Sequence, residues 1–230
     1  MEWDSWFSNK TFTTDWTSSN FSVWARHLVK FRDHAAHVLE IGSWEGRSAI
    51  FFLEFLPGCH ITCIDKFEVR PEHTANAGDV VSSIESRFDS NLVAYGGRVR
   101  KIKSRSLAAL DQLAQASHTF DLIYIDGSHA RSDVLIDSVL AWPMLKANGI
   151  CIWDDYIWGA PDVPSAQRPQ DAIDAFLDMH SEELQIRHSG AQIIVEKRPG
   201  IKSEHRNRMT FPRTPANLLR FLKREPMRFS

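Results

Sequence analysis

Acidic residues stand at or beside the ends of four short apolar runs in this sequence. Glu40 lies in Val38–Ile41, Asp65 follows Ile61–Ile64, Asp126 follows Leu122–Ile125, and Asp154-Asp155 follows Ile150–Trp153. Runs of this kind read as buried strands, and parallel α/β sheets bind ligands at the carboxyl ends of their strands. Glu40 also opens the pattern Glu40-x-Gly42-Ser43-x-x-Gly46, which leads into an apolar-periodic helix near Arg47. Glycines let backbone approach a ligand, and a helix N-terminus offers free N–H groups. The spacing is not the Gly-x-Gly-x-x-Gly of a dinucleotide loop, and Glu40 would repel a pyrophosphate. A ligand with cationic groups suits it better. S-adenosylmethionine carries an ammonium and a sulfonium and no phosphate, so the loop points to that molecule.

Asp65 presents two acceptor oxygens, which suits the vicinal hydroxyls of a ribose; a strand-end Asp also suits capping of the next turn. Asp126 and the Asp154-Asp155 pair end neighbouring strands, ~4.8 Å apart, so their carboxylates can converge. Three clustered carboxylates repel unless a cation or protons neutralise them. Oxygen-only ligands suit Mg²⁺, and Ca²⁺ or Mn²⁺ less well. Without a metal, Asp154 or Asp155 would cap a turn. His129 follows Gly127-Ser128 at the start of a helix expected over 129–145. There the helix dipole disfavours imidazolium, and a neutral imidazole can act as general base. The alternative for His129 is a hydrogen bond to its own loop.

The elements that must position these residues alternate. Strands are expected at 37–42, 60–65, 98–103, 120–126, 149–153, 183–188 and 191–197. Helices are expected at 46–56, 78–94, 105–116, 129–145 and 169–180, with Pro57-Gly58 stopping the first and Pro169 starting the last. This predicts an α/β fold: a Rossmann-like, doubly wound, seven-stranded, mostly parallel sheet. Only Ser189-Gly190 separates the last two strands, so they must form an antiparallel hairpin. An amphipathic helix over 21–32 carries Phe21, Trp24, Leu28 and Phe31 at helical spacing; it packs on the core or caps a ligand pocket. The domain reading is 1–36 as an aromatic arm and cap helix, 37–197 as the Rossmann-like domain, and 198–230 as a basic tail with a short helix near 215–224.

The chain has 230 residues, 43% hydrophobic and 24% charged, with a net charge of −2. That balance gives no general attraction to nucleic acid or an anionic membrane. Basic residues are concentrated after 198, where a solvated extension or contact with an acidic partner is expected. No stretch is long enough for a membrane helix, and the acidic N-terminus is unlike a signal peptide, so a cytoplasmic location is expected. Cys59, Cys63 and Cys151 sit among apolar neighbours and read as buried free thiols.

Residues 11–197 resemble a class I S-adenosylmethionine-dependent methyltransferase. Within that class they resemble the branch of macrocin and rhamnosyl O-methyltransferases and the cephalosporin hydroxylase-associated protein. The matching pieces are Phe12-Thr13-Thr14-Asp15-Trp16, Leu39 to Ser48, Tyr124-Ile125-Asp126-Gly127-Ser128-His129 and Trp153-Asp154-Asp155-Tyr156. The resemblance implies donor contacts from Glu40, Gly42, Ser43, Gly46 and Asp65. It also implies an adenine contact from Ser106, which could equally serve only as a helix N-cap. It further implies Mg²⁺ on Asp126, Asp154 and Asp155; on the placement argued above, His129, or a carboxylate such as Asp126, takes the proton from a small-molecule or sugar hydroxyl. A homo-oligomer is compatible with the aromatic arm. Two other classes share parts of this pattern: a non-catalytic S-adenosylmethionine-binding protein, and a nicotinamide-dependent oxidoreductase. The second is disfavoured by the missing glycine fingerprint and by the terminal hairpin.

Overall fold

The computed structural model describes residues 3–68, 84–159 and 163–200. Among them, seven strands form one sheet: β1 His37–Ile41, β2 His60–Asp65, β3 Val99–Lys103, β4 Phe120–Ile125, β5 Leu145–Trp153, β6 Leu184–Ser189 and β7 Ile193–Lys197. Their order is β3-β2-β1-β4-β5-β7-β6. The first five are parallel, while β7 runs antiparallel to both β5 and β6. The mostly parallel sheet with its closing hairpin is therefore as expected. The order reverses between β1 and β4, which opens a crevice at their carboxyl ends.

Both faces of the sheet are covered. Val38 faces α1 (Phe21–Leu28) and α2 (Arg47–Phe55) in one core, while Leu39 and Ile41 face α4 (Ser106–Gln115), α5 (Arg131–Ala141) and α6 (Pro169–Met179) in the other. The period-2 alternation of strand side chains assigns them so. The first core is aromatic. Phe21 stacks on Phe51 at 4.5 Å, and Trp24 packs on Phe52 at 5.1 Å and on Tyr124 at 5.2 Å. The expected arm packs on this core, with Trp3 edge-on to Phe51 and Phe55. Trp24 donates its indole N–H to Gln192 at 2.7 Å, tying α1 to the hairpin.

Some boundaries differ. The helix expected over 129–145 is α5 at Arg131–Ala141, followed by a 3₁₀ turn at Trp142–Met144. Pro143 has no N–H and crowds the preceding turn, so the α-helix cannot run through it. β5 starts early, at Leu145, because Asn148 takes a positive φ of 61° and the strand passes over an irregularity opposite Phe120–Leu122. α1 tightens into a 3₁₀ turn at Val29–Phe31. The helix expected over 78–94 is seen as α3, Ile84–Leu92; its expected start, and the tail helix near 215–224, lie outside the described residues. All three cysteines are free and buried. No helix among the described residues is long and apolar enough to cross a membrane.

Candidate active site

The loop after β1 takes a positive φ at Gly42, Trp44 and Gly46, and the closest approaches are made at its glycines. Gly42 has φ +90°, and a Cβ there would lie 2.1 Å from the carbonyl oxygen of Asp126. Glycine thus lets the ends of β1 and β4 meet. Gly46, at φ +83°, precedes α2, and a Cβ there would meet Leu92 at 2.9 Å. Asp65 pins this loop: one carboxylate oxygen accepts from the N–H groups of Ser43 at 2.9 Å and Trp44 at 2.8 Å, and the other from Phe67 N–H at 2.6 Å. The capping role open to a strand-end Asp is therefore realised, and Asp65 also lines two adjoining cavities.

Glu40 lies under the loop and is fully buried. Ser48 donates its hydroxyl to one carboxylate oxygen at 2.5 Å, while the other has no partner. Burial pushes the Glu40 carboxyl up to about 7, against the smaller opposing effect of the Ser43 and Ser48 hydroxyls. Glu40, Ser43 and Gly46 line neither cavity. They shape the loop from behind.

Glu45 joins the loop to the arm. Its carboxylate accepts from Thr13 N–H at 2.6 Å and Thr13 Oγ1 at 2.8 Å, and it pairs with Arg87 at 2.9 Å. Arg47 pairs with Asp15 at 2.8 Å and lies over the rings of Phe7 and Phe12. These contacts bring Trp16 against Trp44, with ring centroids 5.6 Å apart.

At the ends of β4 and β5, Tyr124 Oη lies 2.5 Å from Asp154 Oδ2 and 3.0 Å from Asp126 Oδ2. A phenol has one proton, so it donates to only one of them. Burial first, then the charges of Asp154 and Asp155, hold the Asp126 carboxyl well above the usual range. Burial first, then Asp155, raises Asp154. Asp155, at φ 59°, instead faces His129, whose Nε2 is 2.8 Å from Asp155 Oδ2. The His129 ring stacks on Trp158 at 4.0 Å, and its Nδ1 has no partner. His129 precedes α5 by two residues rather than starting it, so the helix-dipole argument does not apply. Among the described residues there is no ready-made group of three or more His, Cys, Asp or Glu side chains placed to hold a metal ion.

The two cavities share Gly42, Asp65, Lys66 and Gly127. One, of about 230 Å³, runs from β1 and β2 to Ser106, Leu107 and Asp137. The other, of about 530 Å³, is walled by Trp16, Trp44 and Trp158, with Asp126, His129, Asp154 and Asp155 among its lining. Sequence reasoning missed Tyr124, the tryptophan walls and Asp137. Tyr124 could have been found, because in a strand it must share a face with Asp126. Ser106 lines the smaller cavity, and its hydroxyl is the hydrogen-bonding neighbour of Asp137.

The family described as "Methyltransferase domain" matches residues 39–156, a span from the glycine loop through the acid cluster. Among solved structures, the MycE methyltransferase of the mycinamycin biosynthetic pathway, in complex with Mg, SAH and mycinamycin VI, superposes with a TM-score of 0.57 at 19% identity. It covers 96% of this chain and 58% of its own. In another crystal form, with Mg and SAH, this chain spans 55% of the MycE chain. The O-methyltransferase from Bacillus cereus in complex with SAH gives 0.61 at 16% identity, covering 85% of this chain and 88% of its own. The O-methyltransferase NovP gives 0.57 at 16% identity, covering 79% of each. At these identities the likeness is one of fold. No curated protein matches the sequence.

Proposed function

The chain belongs to the methyltransferase-domain family, and from that premise we propose that it transfers a methyl group from S-adenosylmethionine to a hydroxyl of a small molecule or sugar. The observation that carries this reading is the pair of abutting cavities that share Gly42 and Asp65. One combines the aliphatic side chains of Ile41, Ile64, Leu107 and Ile136 with hydroxyls and charges, and the other presents acids, an imidazole and indoles. Solved neighbours in complex with SAH, one of them also with Mg and a small-molecule substrate, support it.

S-adenosylmethionine supplies the methyl group as an electrophile on sulfur. The chain supplies position. Gly42, Ser43 and Gly46 shape the loop against which the donor lies, and Glu40 sets its underside. Asp65 keeps the loop in place through three backbone N–H groups, and its remaining lone pairs are open to ribose hydroxyls. In the larger cavity, donation of His129 Nε2–H to Asp155 fixes the tautomer that leaves Nδ1 as an acceptor for the hydroxyl proton. Holding oxygen and carbon in line is the main contribution to rate.

The acids also fit a hard divalent cation. They are oxygen donors, all three half-buried, and their mutual repulsion is what a cation would relieve. Asp126, Asp154 and Asp155 would hold Mg²⁺, which would supply Lewis acidity toward the acceptor oxygen. The test is methyl transfer to a panel of sugar and phenolic hydroxyls, with and without a chelator, by wild type and Asp126→Asn. Transfer that needs Asp126 and is lost on chelation is expected. Unchanged rates in both arms would remove the metal role, and no transfer to any acceptor would remove the reaction.

A further inference from the structure

Tyr124 is fully buried in the aromatic core, with Trp24 edge-on to its ring at 5.2 Å and Phe52 at 5.7 Å. A phenylalanine would fill that space equally well, so the packing does not call for a hydroxyl. The hydroxyl is nevertheless present, and its partners are two acids from neighbouring strands, Asp154 at 2.5 Å and Asp126 at 3.0 Å. The register puts it there. Tyr124 on β4 pairs with Ile152 on β5, and Asp126 and Asp154 each follow two residues later. Strand side chains repeat every second residue, so the phenol stands one level below both carboxylates. A phenol keeps its proton at neutral pH and gives it to one acceptor at a time. The shorter contact gives it to Asp154, whose other oxygen accepts from Asp155 N–H at 2.9 Å. The Asp154 carboxylate is thus held at both oxygens, and Asp126 lies within hydrogen-bond distance of the same phenol.

We propose that Tyr124 is a positioning residue for the cation-binding acids: its hydroxyl fixes the Asp154 carboxylate, and its spacing from Asp126, before a divalent ion arrives. The assignment rests on the metal reading above. Two carboxylates on adjacent strands otherwise repel and turn apart. Mg²⁺ takes oxygen ligands at about 2.1 Å in near-octahedral geometry, so a rotamer change in either acid would spoil the site. A carboxylate already fixed has less freedom to lose when the ion binds. Asp155 stands outside this arrangement, because its carboxylate faces His129 at 2.8 Å. Tyr124 and His129 thus divide the three acids between them, the phenol serving the pair on adjacent strand ends and the imidazole serving the third.

The test is binding of Mn²⁺ alone to the full chain, read from the electron paramagnetic resonance signal of the free ion. Calorimetric binding of S-adenosylhomocysteine is measured beside it. Tyr124→Phe should bind Mn²⁺ roughly 10- to 100-fold more weakly than wild type, the usual cost of losing a group that orients a metal ligand. Its affinity for S-adenosylhomocysteine should match wild type, because Tyr124 lines neither cavity. Phe52→Leu disturbs the same aromatic packing and keeps the hydroxyl, so its Mn²⁺ affinity should stay at the wild-type value. An unchanged Mn²⁺ affinity in Tyr124→Phe, or an equal loss in Phe52→Leu, overturns the assignment and leaves the metal reading standing. A wild type that binds no Mn²⁺ overturns the metal reading and the assignment with it.

Discussion

Both oxygens of the Glu45 carboxylate accept hydrogen bonds from Thr13, at 2.6 Å from its N–H and 2.8 Å from its hydroxyl. The glycine loop and the N-terminal arm are therefore one mechanical unit. Glu45→Ala removes these bonds and leaves Arg87 without its buried partner. We expect a loss of about 3 kcal/mol in denaturant unfolding, in line with broken buried pairs. The acceptor KM should rise as well, because Trp16, a wall of the larger cavity, is carried on the same arm. Full stability in the variant would show that the arm is held by its aromatic contacts alone.

Gly42→Ala places a methyl 2.1 Å from the Asp126 carbonyl oxygen and forces a side chain into φ +90°. The ends of β1 and β4 must separate. The expected result is no detectable binding of S-adenosylhomocysteine by calorimetry, with far-UV circular dichroism close to wild type. Gly97→Ala is the control, since a Cβ there meets nothing within 4 Å and its backbone is not in the left-handed region.

His129→Ala should lower kcat by roughly 10²- to 10⁴-fold, the usual contribution of a positioned general base. The donor KM should stay near wild type, since His129 lines only the larger cavity. Asp155→Asn should show part of the same loss, because an amide no longer enforces the tautomer with the proton on Nε2. Steady-state kinetics with the acceptor saturating separates the two. A wild-type kcat in His129→Ala would exclude it as the base.

Glu40 makes stability depend on pH. Its carboxyl is raised from 4.5 when unfolded to about 7 when folded. Below pH 4.5 both states hold the proton. Between 4.5 and 7 the unfolded state ionises first, so the folded state binds more protons and stability falls as pH rises. Above 7 the penalty is constant, at roughly 1.4 kcal/mol per pKa unit, or about 3 kcal/mol in all. Glu40→Gln should therefore gain stability relative to wild type between pH 5 and pH 8. Denaturant melts at those two values measure it, and equal differences at both would show that Glu40 is not the titrating group.

The parts of this fold that were legible in the sequence are those governed by short-range regularities. The strands announced themselves by apolar runs, and a two-residue gap forced the final hairpin. The end of α5 was misread because Trp142 and Met144 keep an apolar pattern going where Pro143 breaks the hydrogen bonding. The acids at strand ends were found because their position follows from topology. Which of their oxygens would be engaged did not follow: Asp65 is bound by three backbone N–H groups of two loops, and that depends on Trp44 and Phe67 adopting positive φ. Asp137 was invisible for a similar reason. It sits four residues after Asp133, a spacing that reads as a solvated helix face, and only the cavity beside α5 reveals it as buried.

The bond from Trp24 to Gln192 has a consequence for how the chain is made. The two residues are 168 positions apart, and β7, beside Gln192, pairs between β5 and β6. During synthesis the first helix emerges long before the strand that completes its surroundings. Its indole N–H must wait for its partner until nearly all of the sheet has left the ribosome, although Phe51 and Phe52 of α2 can cover its ring sooner. Contacts of such long sequence separation form late and slowly. Between the emergence of α1 and the arrival of β7 that N–H lacks the acceptor it has in the finished fold.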